Sequence, residues 1–180
     1  MKKLILTVII SALTFGVYAQ NKTFTLPENE GDKLKGQYIV IEEKGTPQEN
    51  YNKVINYINK TYNTPSEVIK SEINGDYIRI EGISNLFKNN GVAIATKHTL
   101  EFKFKQDRIK LTILKLEEVS QGWDITDFVC TYDKTHNKSG KVKNASMKYA
   151  TRVTNGVNEL AESIKIGIAE ESSKNTEDDW

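Results

Sequence analysis

The chain has 180 residues, with 25 Lys and Arg against 24 Asp and Glu, a formal net charge of +1. Balanced charge argues against nonspecific nucleic-acid binding, which runs on an excess of basic residues. A single cysteine, Cys130, excludes an internal disulfide. The length suits one domain that buries roughly 70% of its unfolded surface without one.

Lys2 and Lys3 precede an almost wholly apolar run, Leu4 to Val17, and Val17-Tyr18-Ala19 offers compact side chains to a signal peptidase. This three-part pattern predicts a cleaved secretory signal over residues 1–19, a new N-terminus at Gln20, and a periplasmic or secreted protein. The run is shorter than the ~20 apolar residues of a membrane span. No later segment is apolar enough to span, so a soluble mature chain is expected. Lys2 and Lys3 leave with the signal, so 23 basic residues then face 24 acidic ones.

Residues 20–35 are polar and read as an irregular lead-in to a single domain over 36–171. Tyr38 to Glu42 is a β-branched strand. Thr46-Pro47-Gln48-Glu49 is a helix start, with a capping Thr, Pro at the first position and Glu closing a capping box. Tyr51, Val54, Ile55, Ile58 and Tyr62 then make one apolar stripe at helical spacing. Asn63-Thr64-Pro65 ends it. Four strands are predicted next. Glu67–Ile73 turns at Asn74-Gly75 into the alternating Tyr77–Ile83. After Asn89-Asn90-Gly91, Val92–Lys105 puts Val92, Ile94, Leu100, Phe102 and Phe104 on one face. Gln106-Asp107 leads into the fourth, where Ile109, Leu111 and Ile113 continue that face. Leu114 and Leu116 then break parity, which predicts a bulge.

Over 118–146 the apolar cluster Phe128–Tyr132 is either a short extra strand or a loop over the core. A second long helix is expected from about Ser146, with Ala150, Val153, Val157, Leu160, Ala161, Ile164 and Ile168 as its stripe. Gly156 and Gly167 lower its propensity and point to close packing on a sheet. Residues 172–180 read as an acidic, flexible tail. The order strand, helix, four strands, helix is an α+β two-layer β-α-β(4)-α arrangement, an antiparallel sheet with both helices on one face.

Glu49 to Glu117 also resembles a known family. The likeness lies in the helix Asn50 to Tyr62, the strand before Gly75, Ile80-Glu81-Gly82-Ile83, and the strand Thr99 to Lys105 with its Arg108 hairpin. These features are similar to secreted bacterial proteins grouped as a domain of unknown function, the DUF4468 type, with a TATA-binding-protein-like fold. The resemblance implies that fold and assigns no activity, cofactor or site residue. Nor does the fold name imply DNA binding, since function belongs to sites.

Reactive constellations are scarce. Ser139-Gly140-Lys141 lacks the upstream glycine of a phosphate loop. His98 and His136 are far apart in sequence, and His98 lies on the apolar parity of its strand, as a hydrogen-bonded core or rim histidine would. Cys130 beside Phe128 and Val129 reads as a buried, inert thiol. Glu28, Glu30 and Asp32 lack the terminal acid of a calcium loop. No catalytic residue, metal site or cofactor is expected. The informative feature is the polar parity of the third and fourth strands. Lys97, Lys103, Lys105, Arg108 and Lys110 should share the sheet face away from the helices. That face suits an anionic ligand or an envelope protein. The plainer reading is a solvated sheet face whose lysines block edge pairing and aggregation. The expectation is a non-enzymatic binding module of the bacterial envelope. The alternative is a carrier of a small apolar ligand between the C-terminal helix and the sheet, where Ala150, Ala161 and Gly167 would leave room.

Overall fold

A computed structural model of the chain describes residues 23–174. The expected signal sequence and residues 175–180 of the expected tail lie outside the described residues. Strand β1 (Tyr38–Glu42) is followed by helix α1 (Pro47–Thr61), a helical turn α2 (Pro65–Val68), and strands β2 (Ile69–Ile73), β3 (Tyr77–Asn89), β4 (Val92–Lys105) and β5 (Arg108–Glu118). A two-residue strand β6 (Trp123–Asp124), two helical turns α3 (Ile125–Phe128) and α4 (Tyr132–Thr135), and the long helix α5 (Asn144–Lys174) complete the order. The sheet runs β1-β5-β4-β3-β2, all pairs antiparallel, with β6 on β5 beyond the end of β1. Helices α1 and α5 pack on one face and on each other. This is the α+β arrangement that the element order implies.

Local chemistry sets the ends of α1. The Thr46 hydroxyl accepts from the Glu49 N–H at 3.2 Å, and the Glu49 carboxylate accepts from the Thr46 N–H at 2.6 Å. Two of the four orphan donors of the helix are thereby satisfied. Tyr51, Val54, Tyr57 and Ile58 are buried against the sheet. On the sheet side Ile78, Ile80, Phe102, Ile109 and Ile113 are fully enclosed. From α5 come Ala150, Val153, Val157, Ala161, Ile164 and Ile168. Where α5 crosses β3, a Cβ at Gly156 would run into the Leu86 carbonyl, and where α5 packs on α1 a Cβ at Gly167 would run into the Tyr57 ring, so Gly167 marks close approach to a helix and not to the sheet. Both glycines therefore sit at points of closest approach.

Leu114 is the extra residue of a bulge, since Leu100 pairs with Ile113 and Thr99 with Lys115. The bulge resets the alternation, so Ile113 and Leu116 both point into the core. A second register shift, at Leu86 in β3, buries the neighbours Leu86 and Phe87 together.

Several boundaries differ from the expectation. Pro65 favours a helical turn over strand, so β2 begins at Ile69 and not at Glu67. Strand β3 runs on past Ile83 to Asn89, where Asn90 and Gly91, both at positive φ, form the turn into β4. The cluster 128–132 is not a strand. Asp124 caps a helical turn by accepting from the Asp127 N–H, leaving Phe128 63% exposed while Ile125 and Cys130 face inward. Helix α5 starts at Asn144 and runs through the expected tail boundary to Lys174. The lead-in is irregular yet anchored. Phe24 and Leu34 are buried, and the Asn158 side chain both accepts from the Phe24 N–H and donates to its carbonyl.

Candidate functional site: the open sheet face

Alternation along each strand decides which side chains escape the helices. In β4 and β5, His98, Leu100, Phe102, Ile109 and Leu111 turn toward α1 and α5 and are buried. Residues of the opposite parity turn to the uncovered face, and the register fixes their neighbours. Glu42, Arg108 and Lys105 form one cross-strand row. Val40, Lys110, Lys103 and Tyr77 form the next. Tyr38, Thr112, Glu101 and Arg79 form the third.

All five basic residues singled out in the sequence lie on this face, and the register brings four of them together. Lys105 stands directly opposite Arg108, and Lys103 directly opposite Lys110. Side chains opposite one another on neighbouring strands have Cβ atoms about 5 Å apart, and like charges there are destabilising. Lys97 is separate. It lies six residues along β4 from Lys103, about 20 Å at strand rise, and pairs with Glu117 at 3.0 Å. Glu117 also takes an ion pair from Lys115. Hydrogen bonds from Lys115 and then Lys97 hold the Glu117 carboxyl below the usual carboxylate range. The cations at the far end of the face are therefore both paired with a carboxylate.

Those at the near end are not all so paired. Lys103 reaches Glu101 at 3.4 Å, but Glu101 is shared with Arg79 at 3.5 Å. The Lys110 ammonium sits 3.9 Å above the centre of the Tyr38 ring, a cation–π contact that holds it against the sheet. Lys105 and Arg108 are exposed and carry no ion pair among the described residues. Tyr38, Tyr77, Arg79 and Glu101 complete the site. Sequence parity puts them on the same face of their own strands, but only the pairing register makes them neighbours of the four cations.

The other candidates are structural. His98 is 1% exposed, with Nε2 3.1 Å from the Tyr62 hydroxyl and Nδ1 3.4 Å from the Ser84 hydroxyl. This hydroxyl–imidazole–phenol chain has the connectivity of a nucleophile and its base. Burial, however, pushes the imidazole down to about 4, which makes it a feeble base at neutral pH. A Cβ on Gly82 would lie 2.7 Å from Nε2, so the ring is wedged rather than presented to a cavity. His136 is buried and stacks on Tyr132 with ring centres 4.0 Å apart. The Cys130 thiol is fully buried, and desolvation pushes it up to about 12. Asp32 accepts from the backbone and side-chain amides of Asn29, which lower its pKa and explain the acidic lead-in as a turn. Among the described residues no group of three or more His, Cys, Asp or Glu side chains is placed to hold a metal ion.

Gly167 leaves no space for an apolar ligand, because the Tyr57 ring fills it. Surface hollows along α5 of about 350 and 240 Å³ are bordered by mixed side chains, Leu86, Phe87, Asn85 and Arg152 at one and Tyr57, Ile166, Thr61 and Ser163 at the other. Small residues on α5 thus serve close approach, Gly156 to the sheet and Gly167 to α1. No helix among the described residues is long and apolar enough to cross a membrane.

No family model matches the chain, and no curated relative matches it. Solved structures do resemble it. A DUF4468 family protein from Bacteroides ovatus superposes with a TM-score of 0.57 at 10% identity, over 79% of this chain and 90% of that one. A TBP-like protein from Parabacteroides distasonis gives 0.53 at 12% identity, over 74% and 91%. At such identity the likeness speaks for fold alone. The chain thus has an α+β, TATA-binding-protein-like fold, the fold implied by its resemblance to the DUF4468 type.

Proposed function

We propose that the protein is a non-enzymatic binding module of the cell envelope that holds an anionic partner on the basic end of its open sheet face. The observation that carries this reading is the pair of consecutive like-charge ladders, Lys103 opposite Lys110 and Lys105 opposite Arg108. Each opposed pair works against folding by a few tenths of a kcal/mol up to about 1 kcal/mol. Protection against edge-to-edge aggregation does not account for them. Lysines serve that purpose on edge strands, whereas here β4 lies between β3 and β5, and β5 between β4 and β1. Four cations gathered on central strands, in a chain of balanced charge, are explained by a negative partner that relieves their repulsion. The envelope location rests on the Lys2–Ala19 pattern, and N-terminal sequencing of exported protein should begin at Gln20.

A binding titration tests the reading. The native protein should bind a small anion, pyrophosphate, or a polymeric one, dextran sulfate, at about 0.15 M salt, where exposed charges act over only ~8 Å. Replacing Lys103, Lys105, Arg108 and Lys110 by Gln should weaken that binding at least tenfold. The same change of charge at the exposed Lys88, Lys138, Lys141 and Lys148 should leave it intact. Equal loss in both variants would mean that net charge, and not this site, does the binding.

A further inference from the structure

We infer that the anion is compact, a phosphate-ester or diphosphate group rather than an extended polyanion, and that the remainder of the ligand leaves across β3 over Tyr77 and Ile73. This rests on the reading of the basic end as an anion site and names what it takes.

The first ground is size. The four cations occupy two rows on two neighbouring strands. Strands lie about 4.8 Å apart and same-face residues about 7 Å apart along a strand. Flexible Lys and Arg side chains rising from a patch of that size can reach a group of one or two tetrahedral anions, Lys103 by turning from Glu101 and Lys110 by turning from the Tyr38 ring. Within it Lys105 and Arg108 are the uncommitted donors, and a guanidinium fork matches the oxygens of a phosphate in a bidentate way.

The second ground is the fence of carboxylates around the patch. Glu42 stands opposite Arg108 on the β1 side. Toward the middle of the sheet Glu101 lies 3.4 Å from Lys103, with Glu81 and Glu117 in the rows beyond. Past the turn is Asp107, whose carboxylate accepts from the Gly45 N–H at 3.0 Å. A chain of repeating negative charge laid across the patch would meet Glu42 on the β1 side and Glu101 and Glu81 along the strands, while past the turn the sheet face ends. The fourth side carries no carboxylate in its row, and the Arg79 guanidinium lies 5.7 Å from the centre of the Tyr77 ring there. From Lys103 the row continues to Tyr77 and then to Ile73, which is 60% exposed. An anionic head seated on the cations can therefore extend an uncharged or aromatic remainder only over β3 and β2.

Nitrogen-15 NMR of the labelled protein at about 0.15 M salt separates the outcomes, with three probes: pyrophosphate, phenyl phosphate and long-chain polyphosphate. Pyrophosphate should shift the amides of residues 103–110 saturably, and Arg108→Gln or Lys105→Gln should remove the effect. Phenyl phosphate should shift the same amides and in addition those of Tyr77 and Ile73. Polyphosphate should bind no more tightly per site than pyrophosphate. If only polyphosphate saturates these amides, the compact-anion inference is overturned while the anion site stands. If phenyl phosphate shifts 103–110 but leaves Tyr77 and Ile73 unmoved, the exit over β3 is overturned. If none of the three perturbs 103–110, the anion site itself is overturned, and the inference with it.

Discussion

Lys105 and Arg108 face each other as the last pair of the β4–β5 ladder, two positive charges on either side of the turn Gln106-Asp107. A hairpin end is where a cross-strand attraction would most help to hold the turn closed, and here it is replaced by repulsion. Lys103 and Lys110 repeat the pattern one row further in. Of the carboxylates on this face, Glu117 is taken by Lys97 and Lys115, Glu101 is shared by Arg79 and Lys103, and Glu42, opposite Arg108, makes no ion pair among the described residues.

His98 predicts how stability depends on pH. Its folded pKa, near 4, lies below the ordinary histidine value of 6.5 because burial penalises the charged ring. The contribution of the neutral ring is complete above pH 6.5. It is lost as pH falls from there through about 4, where the unfolded chain takes up a proton that the folded one resists. Linkage puts the loss at up to roughly 3 kcal/mol. Denaturant titrations at pH 7 and pH 4.5 should show it, and His98→Gln should flatten the difference between the two. An equal pH dependence in wild type and variant would assign the acid sensitivity to other groups.

Cys130 should label slowly with a thiol reagent in the native protein and at once in denaturant. Its thiol is fully buried, and a pKa near 12 leaves almost no thiolate at neutral pH. Immediate native labelling would contradict the packing of the 125–131 segment on the core.

Gly156→Ala should destabilise the fold by about 1–3 kcal/mol through overpacking, against the ~1 kcal/mol gain that helix propensity alone predicts. The new methyl would meet the Leu86 backbone carbonyl, which cannot rotate away as a side chain could. Thermal melting decides the sign. A stabilised variant would mean that α5 does not approach β3 so closely.

How far these features can be read from sequence depends on whether the signal is local. The capping box of Thr46 and Glu49 makes α1 legible, and the parity break at Leu114 gives away the bulge. Gly156 and Gly167 announce close packing, though not its partners Leu86 and Tyr57. The 118–146 segment misleads because Phe128 to Tyr132 has strand-like composition, while the decisive residue is Asp124, a cap lying outside the apolar cluster. The basic face is half legible. Parity alone puts Lys97 with Lys103, Lys105, Arg108 and Lys110, but only register shows that Lys97 belongs with Glu117. Register also brings Tyr38 beneath Lys110 from a strand some seventy residues away. Cross-strand register depends on tertiary pairing, which no single strand encodes.

The claim that the repulsion between Lys105 and Arg108 is retained for an anion can be tested by scanning calorimetry of the wild type and Lys105→Glu, each alone and with saturating pyrophosphate. The variant turns a repulsive pair into an attractive one, worth about 0.2–1 kcal/mol, and at the same time removes a ligand-binding cation. Alone, Lys105→Glu should melt a few degrees above the wild type. With the anion, the wild type should rise while the variant stays where it was, because only the native site gains from binding. A variant no more stable than the wild type, or an anion that raises both melting points equally, would contradict the claim.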